Sequence, residues 1–329
     1  MKAFRRLAVR AGCAALALLP IAPGWAQGAG AFPDRPLKLV VPFPPGGGTD
    51  AAARLIAASL SAELRQQVVV ENRGGAGGAI AAQSVVDSPA DGYTLFFATT
   101  GTLAINQHLY SRLRHNPLTD LSPVATIASF PNVLVVHPSL PVRSVSELIA
   151  LARERQGTLT YASSRTGSSS HLAVVLLETL TGAKFTHVPY KGSAPAMTDF
   201  VAGRIDMMID NPTTNIPLAQ SGKLRALGVS GRTRSRQMPE LPTIAEAGVP
   251  GYEVMVWYAV MGPARLPEAI VSRLASDLST VVASAKVREA LEGLGTDPMY
   301  MGTRDTAAFI AAESRKWAEV VRVSGARAD

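Results

Sequence analysis

The chain has 329 residues, a formal net charge of +7 and a single cysteine. That length suits two domains of ordinary size, and one cysteine excludes an internal disulfide and a thiolate metal cluster. Nor is the charge a nucleic-acid signature: basic residues such as Arg232, Arg234 and Arg236 are scattered and lack neighbouring aromatics, whereas a nucleic-acid face needs a clustered stripe.

The first segment reads as an address. Lys2, Arg5, Arg6 and Arg10 precede an apolar stretch from Ala11 to about Ala22, and Gly24 and Ala26 bracket Trp25. This is the three-part pattern of a secretory signal peptide, with cleavage expected after Ala26. The apolar run contains Pro20 and is too short for a span of roughly 20 residues. Cys13 precedes the apolar run, so it is not read as an acylation site. Removing residues 1–26 takes away the cysteine and four positive charges, which predicts a mildly basic, periplasmic product suited to an anionic partner.

Strands and helices then alternate. The pattern predicts strands at 37–43, 68–70, 93–98, 133–136, 159–162, 185–188, 205–209, 224–229 and 254–261. Helices are predicted at 50–64, 79–86, 145–153, 169–181 and 194–202, followed by a helical tail at 267–283, 285–294 and 303–323 with hardly any strand in it. Such alternation predicts an α/β fold of mostly parallel sheets flanked by helices. The tail is too thin to stand alone and is expected to pack on the first sheet. The first domain would then be discontinuous, 27–130 plus 254–329, with a second domain at 131–253.

Three strand-to-helix loops share one design. They are Phe43-Pro44-Pro45-Gly46-Gly47-Gly48-Thr49-Asp50, Ser163-Ser164-Arg165-Thr166-Gly167-Ser168-Ser169-Ser170-His171 and Tyr190-Lys191-Gly192-Ser193-Ala194-Pro195. A helix N-terminus offers unpaired N–H groups and partial positive charge to an anion, and glycine lets the backbone approach a ligand closely. In open α/β sheets such loops lie beyond the carboxyl ends of the strands, where ligands bind. Each helix also needs a cap whether or not it binds anything, so the loops alone say only that an anion site is present if they converge. Asp50, Asp206 and Asp210 are candidate acceptors for ligand hydroxyls or amines.

Enzyme signatures are missing from the sequence. There is no P-loop and no G-x-S-x-G elbow. Asn72-Arg73-Gly74-Gly75-Ala76-Gly77-Gly78-Ala79-Ile80 imitates a dinucleotide fingerprint, but Ile80 fills its third small position, so it reads as a structural turn. His108, His115, His137, His171 and His187 have no metal-ligand spacing, and Ser170-His171 adjacency does not make a catalytic pair. No cofactor, metal or catalytic residue is assigned.

Four stretches, Val41–Asp50, Val70–Gly78, Pro89–Leu95 and His187–Ala196, together with Asp206–Asn211 and Leu241–Gly248, carry a resemblance in the right order over nearly the whole mature chain. The sequence resembles the Bug receptors, extracytoplasmic substrate-binding proteins of tripartite tricarboxylate transporters. The resemblance implies a two-domain periplasmic binding protein fold (Venus flytrap) holding a di- or tricarboxylate, amino acid or aromatic acid between the domains. It implies ligand contacts from Phe43 and Gly46–Asp50 (Gly46, Gly47, Gly48, Thr49, Asp50) and from Thr166–Ser170 (Thr166, Gly167, Ser168, Ser169, Ser170) with His171. Thr99, Thr100, Gly101, Tyr190, Lys191 and Asp210 would surround the cleft. Arg165 departs from the small residue expected there. It either offers a charge to a second carboxylate or points to solvent, and solvent is the preferred reading. The implied partners are a small organic anion and integral membrane transporter subunits, with the receptor a monomer. A receptor signalling through a membrane sensor is the alternative, and a carboxylate-processing lyase or hydrolase a more distant one.

Overall fold

The computed structural model describes residues 32–328, so the export segment read at Met1–Ala26, with Cys13, lies outside the described residues. The first sheet begins with β1 (Leu37–Val41), an apolar run that is almost wholly buried. Pro42 and the prolines after Phe43 end it, and α1 (Gly48–Leu64) starts on Gly47 with no side-chain cap. There follow β2 (Val68–Asn72), α2 (Ala79–Val86), β3 (Thr94–Thr99), a π turn at Gly101–Ile105 that runs into α3 (Asn106–Leu109), and β4 (Leu121–Pro131).

The chain then builds a second sheet from β5 (Val133–Val136), α4 (Val145–Arg155), β6 (Thr160–Ser163), α5 (Ser169–Thr181), β7 (Thr186–Pro189), α6 (Ser193–Val201), β8 (Met207–Asp210), α7 (Pro212–Gln220) and β9 (Arg225–Val229). It returns through β10 (Met255–Pro263) and ends with α8 (Glu268–Ala283), α9 (Ala285–Gly293), β11 (Asp297–Met301) and α10 (Thr303–Ser324). Strand order is β11-β4-β10-β3-β1-β2 in one sheet and β7-β6-β8-β5-β9 in the other.

Most strands in each sheet run the same way, as the alternation predicts, but β10 and β5 are inserted antiparallel to both of their neighbours. The reason is where the chain crosses. The other central strands end at the space between the sheets, and a strand that has just crossed must start there and run away. A single residue knits the crossings. The buried Ser230 hydroxyl accepts from Asn132 N at 2.7 Å and donates to Val254 O at 2.5 Å, while Ser230 N donates to Asn132 O and Val254 N to Ser230 O.

Apart from the single-turn α3, the elements that the pattern misses are proline-bearing. β4 carries Pro123 opposite an irregular step in the ladder with β10, where a lost donor is tolerated. The helical tail is interrupted by β11, an edge strand containing Pro298, so the expectation of hardly any strand there is corrected. α7 contains Pro217, but Pro212 opens it and Asn211 caps it by accepting from Thr213 N at 2.9 Å. The tail lies on the first sheet as expected: Trp257 of β10 packs edge-on to Phe309 of α10 and donates its indole N–H to Glu313 at 3.0 Å.

Candidate functional site

The carboxyl ends of β1, β3, β6, β7 and β8 face one cleft, which encloses about 780 Å³ with its open mouth included. Three helix starts line it: Gly47–Asp50 at α1, Ser168–Ser169 at α5 and Gly192–Ser193 at α6. Neither α1 nor α6 has a side-chain cap, so their leading N–H groups are left for another acceptor. At α5 the Ser168 hydroxyl accepts from His171 N at 3.3 Å.

Tyr258, from β10, joins the walls. Its ring is buried against Phe97 and Phe130, each 5.0 Å away between centroids. Its hydroxyl lies 3.3 Å from Thr49 Oγ1 and accepts from Asn211 Nδ2 at 3.0 Å. Burial pushes its phenol well above the ordinary range, so it stays protonated and neutral. The two acids in the cleft differ. Asp50 is saturated: its carboxylate accepts from Gly46 N, Arg54 Nε and Asn72 Nδ2 at 2.9–3.0 Å. Burial raises its pKa, but those bonds outweigh it and hold the group below the ordinary value. Its work is to shape the first loop. Asp210 accepts from Ser193 Oγ at 2.5 Å, and burial raises its pKa against that bond. Asp206 accepts from Thr160 N and Oγ1 inside the second sheet, away from the cleft.

The α5 loop is stiffened from behind. Gly167 N donates to His171 Nδ1 at 3.0 Å, the His171 and His187 rings stack at 4.2 Å, and the latter's Nε2 lies 2.6 Å from Ser163 Oγ. Burial lowers the two imidazoles to about 3 and about 4, so both are neutral acceptors or donors rather than charges. Arg165 does not point to solvent, which corrects the preferred reading. Its side chain crosses to the first half of the molecule, where Nη2 donates to Asn106 Oδ1 at 3.1 Å.

Among the candidates, Phe43, Gly47, Gly48, Thr49, Asp50, Thr99, Gly101, Arg165, Ser168, Ser169, Lys191 and Asp210 line the cleft. Gly46, Thr100, Thr166, Gly167, Ser170, His171 and Tyr190 are outside the lining. Thr100 Oγ1 accepts from Trp257 N, Ser170 Oγ accepts from Ser164 N, and Tyr190 donates to Asp199. Asn132, Asn211 and Tyr258 line the cleft without having been singled out. The Asn211-Pro212 pair is a readable helix start. Tyr258 sits in an apolar run, and no local pattern marks it.

A family model described as the tripartite tricarboxylate transporter family receptor matches residues 52–325. The chain belongs to that family. Among relatives of this receptor-family chain, protein BugT of Bordetella pertussis is 39% identical over 297 residues, covering 90% of this chain and 91% of the relative. The solved structure of R. palustris Rpa4515 with adipate superposes with a TM-score of 0.87 at 42% identity, covering 89% of this chain and 98% of that one. MatC from Rhodopseudomonas palustris with bound malate gives 0.83 at 33% identity, covering 88% and 100%. The family is one of substrate-binding receptors, and its α/β periplasmic binding protein architecture is that of the two sheets described above.

Proposed function

We propose that this chain is a periplasmic solute receptor, exported with loss of Met1–Ala26, that captures a small organic carboxylate and hands it unaltered to the membrane subunits of a tripartite tricarboxylate-type transporter. The observation that carries the reading is the convergence of three helix N-termini, from both sheets, on one cleft. Aligned N–H groups and partial positive charge suit an anion held by backbone rather than by side-chain counter-ions. The adipate and malate in the related structures are ligands of that kind. The halves carried by the two sheets, 27–130 plus 254–329 and 131–253, act as two domains. The crossings beside Ser230 are their hinge, and a ligand that touches both walls shifts the population towards closure.

A thermal-shift screen of organic acids tests this. A ligand at about 100 times its dissociation constant stabilises the fold by roughly 2.7 kcal/mol. Small-angle scattering should then show a smaller radius of gyration with that ligand, and the ligand should be recovered intact. A converted ligand would make the chain an enzyme. Uptake by co-expressed transporter subunits separates delivery from signalling.

A further inference from the structure

Arg165 is a cation in an unusual place. Its guanidinium leaves the α5 loop and lodges on the first half of the molecule, between two glycines. A Cβ on Gly77 would run into Nη1, and one on Gly101 would stand 3.0 Å from Nη2. The turn around Gly77, which imitates a dinucleotide fingerprint without being one, therefore has a purpose: it leaves room for this head group. Asn106 completes the cradle, donating from Nδ2 to Gly77 O at 3.0 Å and accepting from Arg165 Nη2 at 3.1 Å.

Every partner of the guanidinium is neutral. Besides Asn106 it meets Thr166 O, 3.3 Å from Nη1, and the Tyr110 hydroxyl. Its Nε is buried with no acceptor, and among the described residues no carboxylate pairs with it. The side chain is half-buried, and a guanidinium with its Nε sealed off and only neutral partners bears a desolvation cost that an opposite charge would offset. Arg165 also lines the same cleft as the three helix starts.

Resting on the carboxylate reading of that cleft, we infer that Arg165 is the specificity-determining residue that pairs with a second carboxylate, making this receptor selective for dicarboxylates over monocarboxylates of the same length. The helix starts take one end of the ligand, and the guanidinium takes the other in a charge-assisted hydrogen bond from the Nη2 N–H that Asn106 leaves, the one beside cleft-lining Gly101. Because its cradle lies on the first half and its backbone on the second, the pair forms where the walls meet.

The test is calorimetry with succinate, glutarate and adipate against butyrate, pentanoate and hexanoate. The wild type should bind its best diacid about tenfold or more tighter than the matching monoacid, as a charge-assisted pair allows. Arg165→Met should erase that ratio, weakening the diacid while leaving the monoacid unchanged or tighter, and should melt no earlier than the wild type without ligand. Arg165→Lys, which keeps the charge but not the planar head that fits the cradle, should retain part of the ratio. Equal loss for both acid types in the methionine variant would reduce Arg165 to a structural latch and overturn the inference, as would an unchanged ratio or a wild type that prefers monoacids. A wild type that binds none of the six acids would bring down the carboxylate reading itself.

Discussion

At the scale of single residues, glycines in the first loop do different things. Gly47 has an ordinary φ of −90°, and nothing lies within 4 Å of where its Cβ would be. A side chain there costs the fold little and projects into the cleft. Gly47→Val should therefore melt like the wild type yet lose most of its affinity in calorimetry; full affinity would remove this loop from the site. Gly48 is different, because a Cβ there would stand 2.7 Å from Asn211 Nδ2 on the opposite wall. Asn211 cannot simply swing aside, since it caps α7 and bonds Tyr258. Gly48→Ala should keep the walls apart, leaving the ligand-bound radius of gyration close to that of the free protein.

At the scale of elements, two devices hold the site in shape, and each makes a prediction. The α5 loop leans on His171 and His187, which face each other, Tyr161 and Arg165. Both imidazoles are neutral in the fold and ordinarily titrate near 6.5. Below that pH the unfolded chain takes up protons that the folded chain refuses, so stability is full above about 6.5 and is lost as pH falls towards 4. Urea midpoints measured from pH 7 to 4 should drop steadily, and His171→Asn, which keeps an acceptor for Gly167 N but does not titrate, should flatten the fall. The second device is the hinge. Ser230→Ala leaves the buried Asn132 N–H without its acceptor, which costs about 1–3 kcal/mol. Denaturant unfolding should show that loss, and hydrogen exchange should quicken at Asn132.

At the scale of the whole molecule, two sheets meet at a cleft because the chain crosses between them twice. Alternating apolar and helical periodicities identify nearly every central strand and the helices after them, since burial on both faces of a sheet demands that pattern. Proline-bearing β4, α7 and β11 escape it, because their prolines are accommodated by a ladder irregularity, a cap and a free edge that exist only once the neighbours are in place.

The same division runs through the site. Gly46–Asp50 and Ser168–Ser170 are legible along the chain because a strand followed by a glycine- or serine-rich helix start is a local pattern with a local physical cause. Which of those residues line the cleft is not local. Tyr258 reaches Thr49 across 209 positions, and Arg165 reaches Asn106 across 59. Most elements, the family resemblance and the anion-friendly loops follow from short-range periodicity, capping and motif order along the chain. That Arg165 turns inward and that Asp50 is spent on its own loop emerges in three dimensions alone, because both depend on which partners the fold brings within hydrogen-bonding distance.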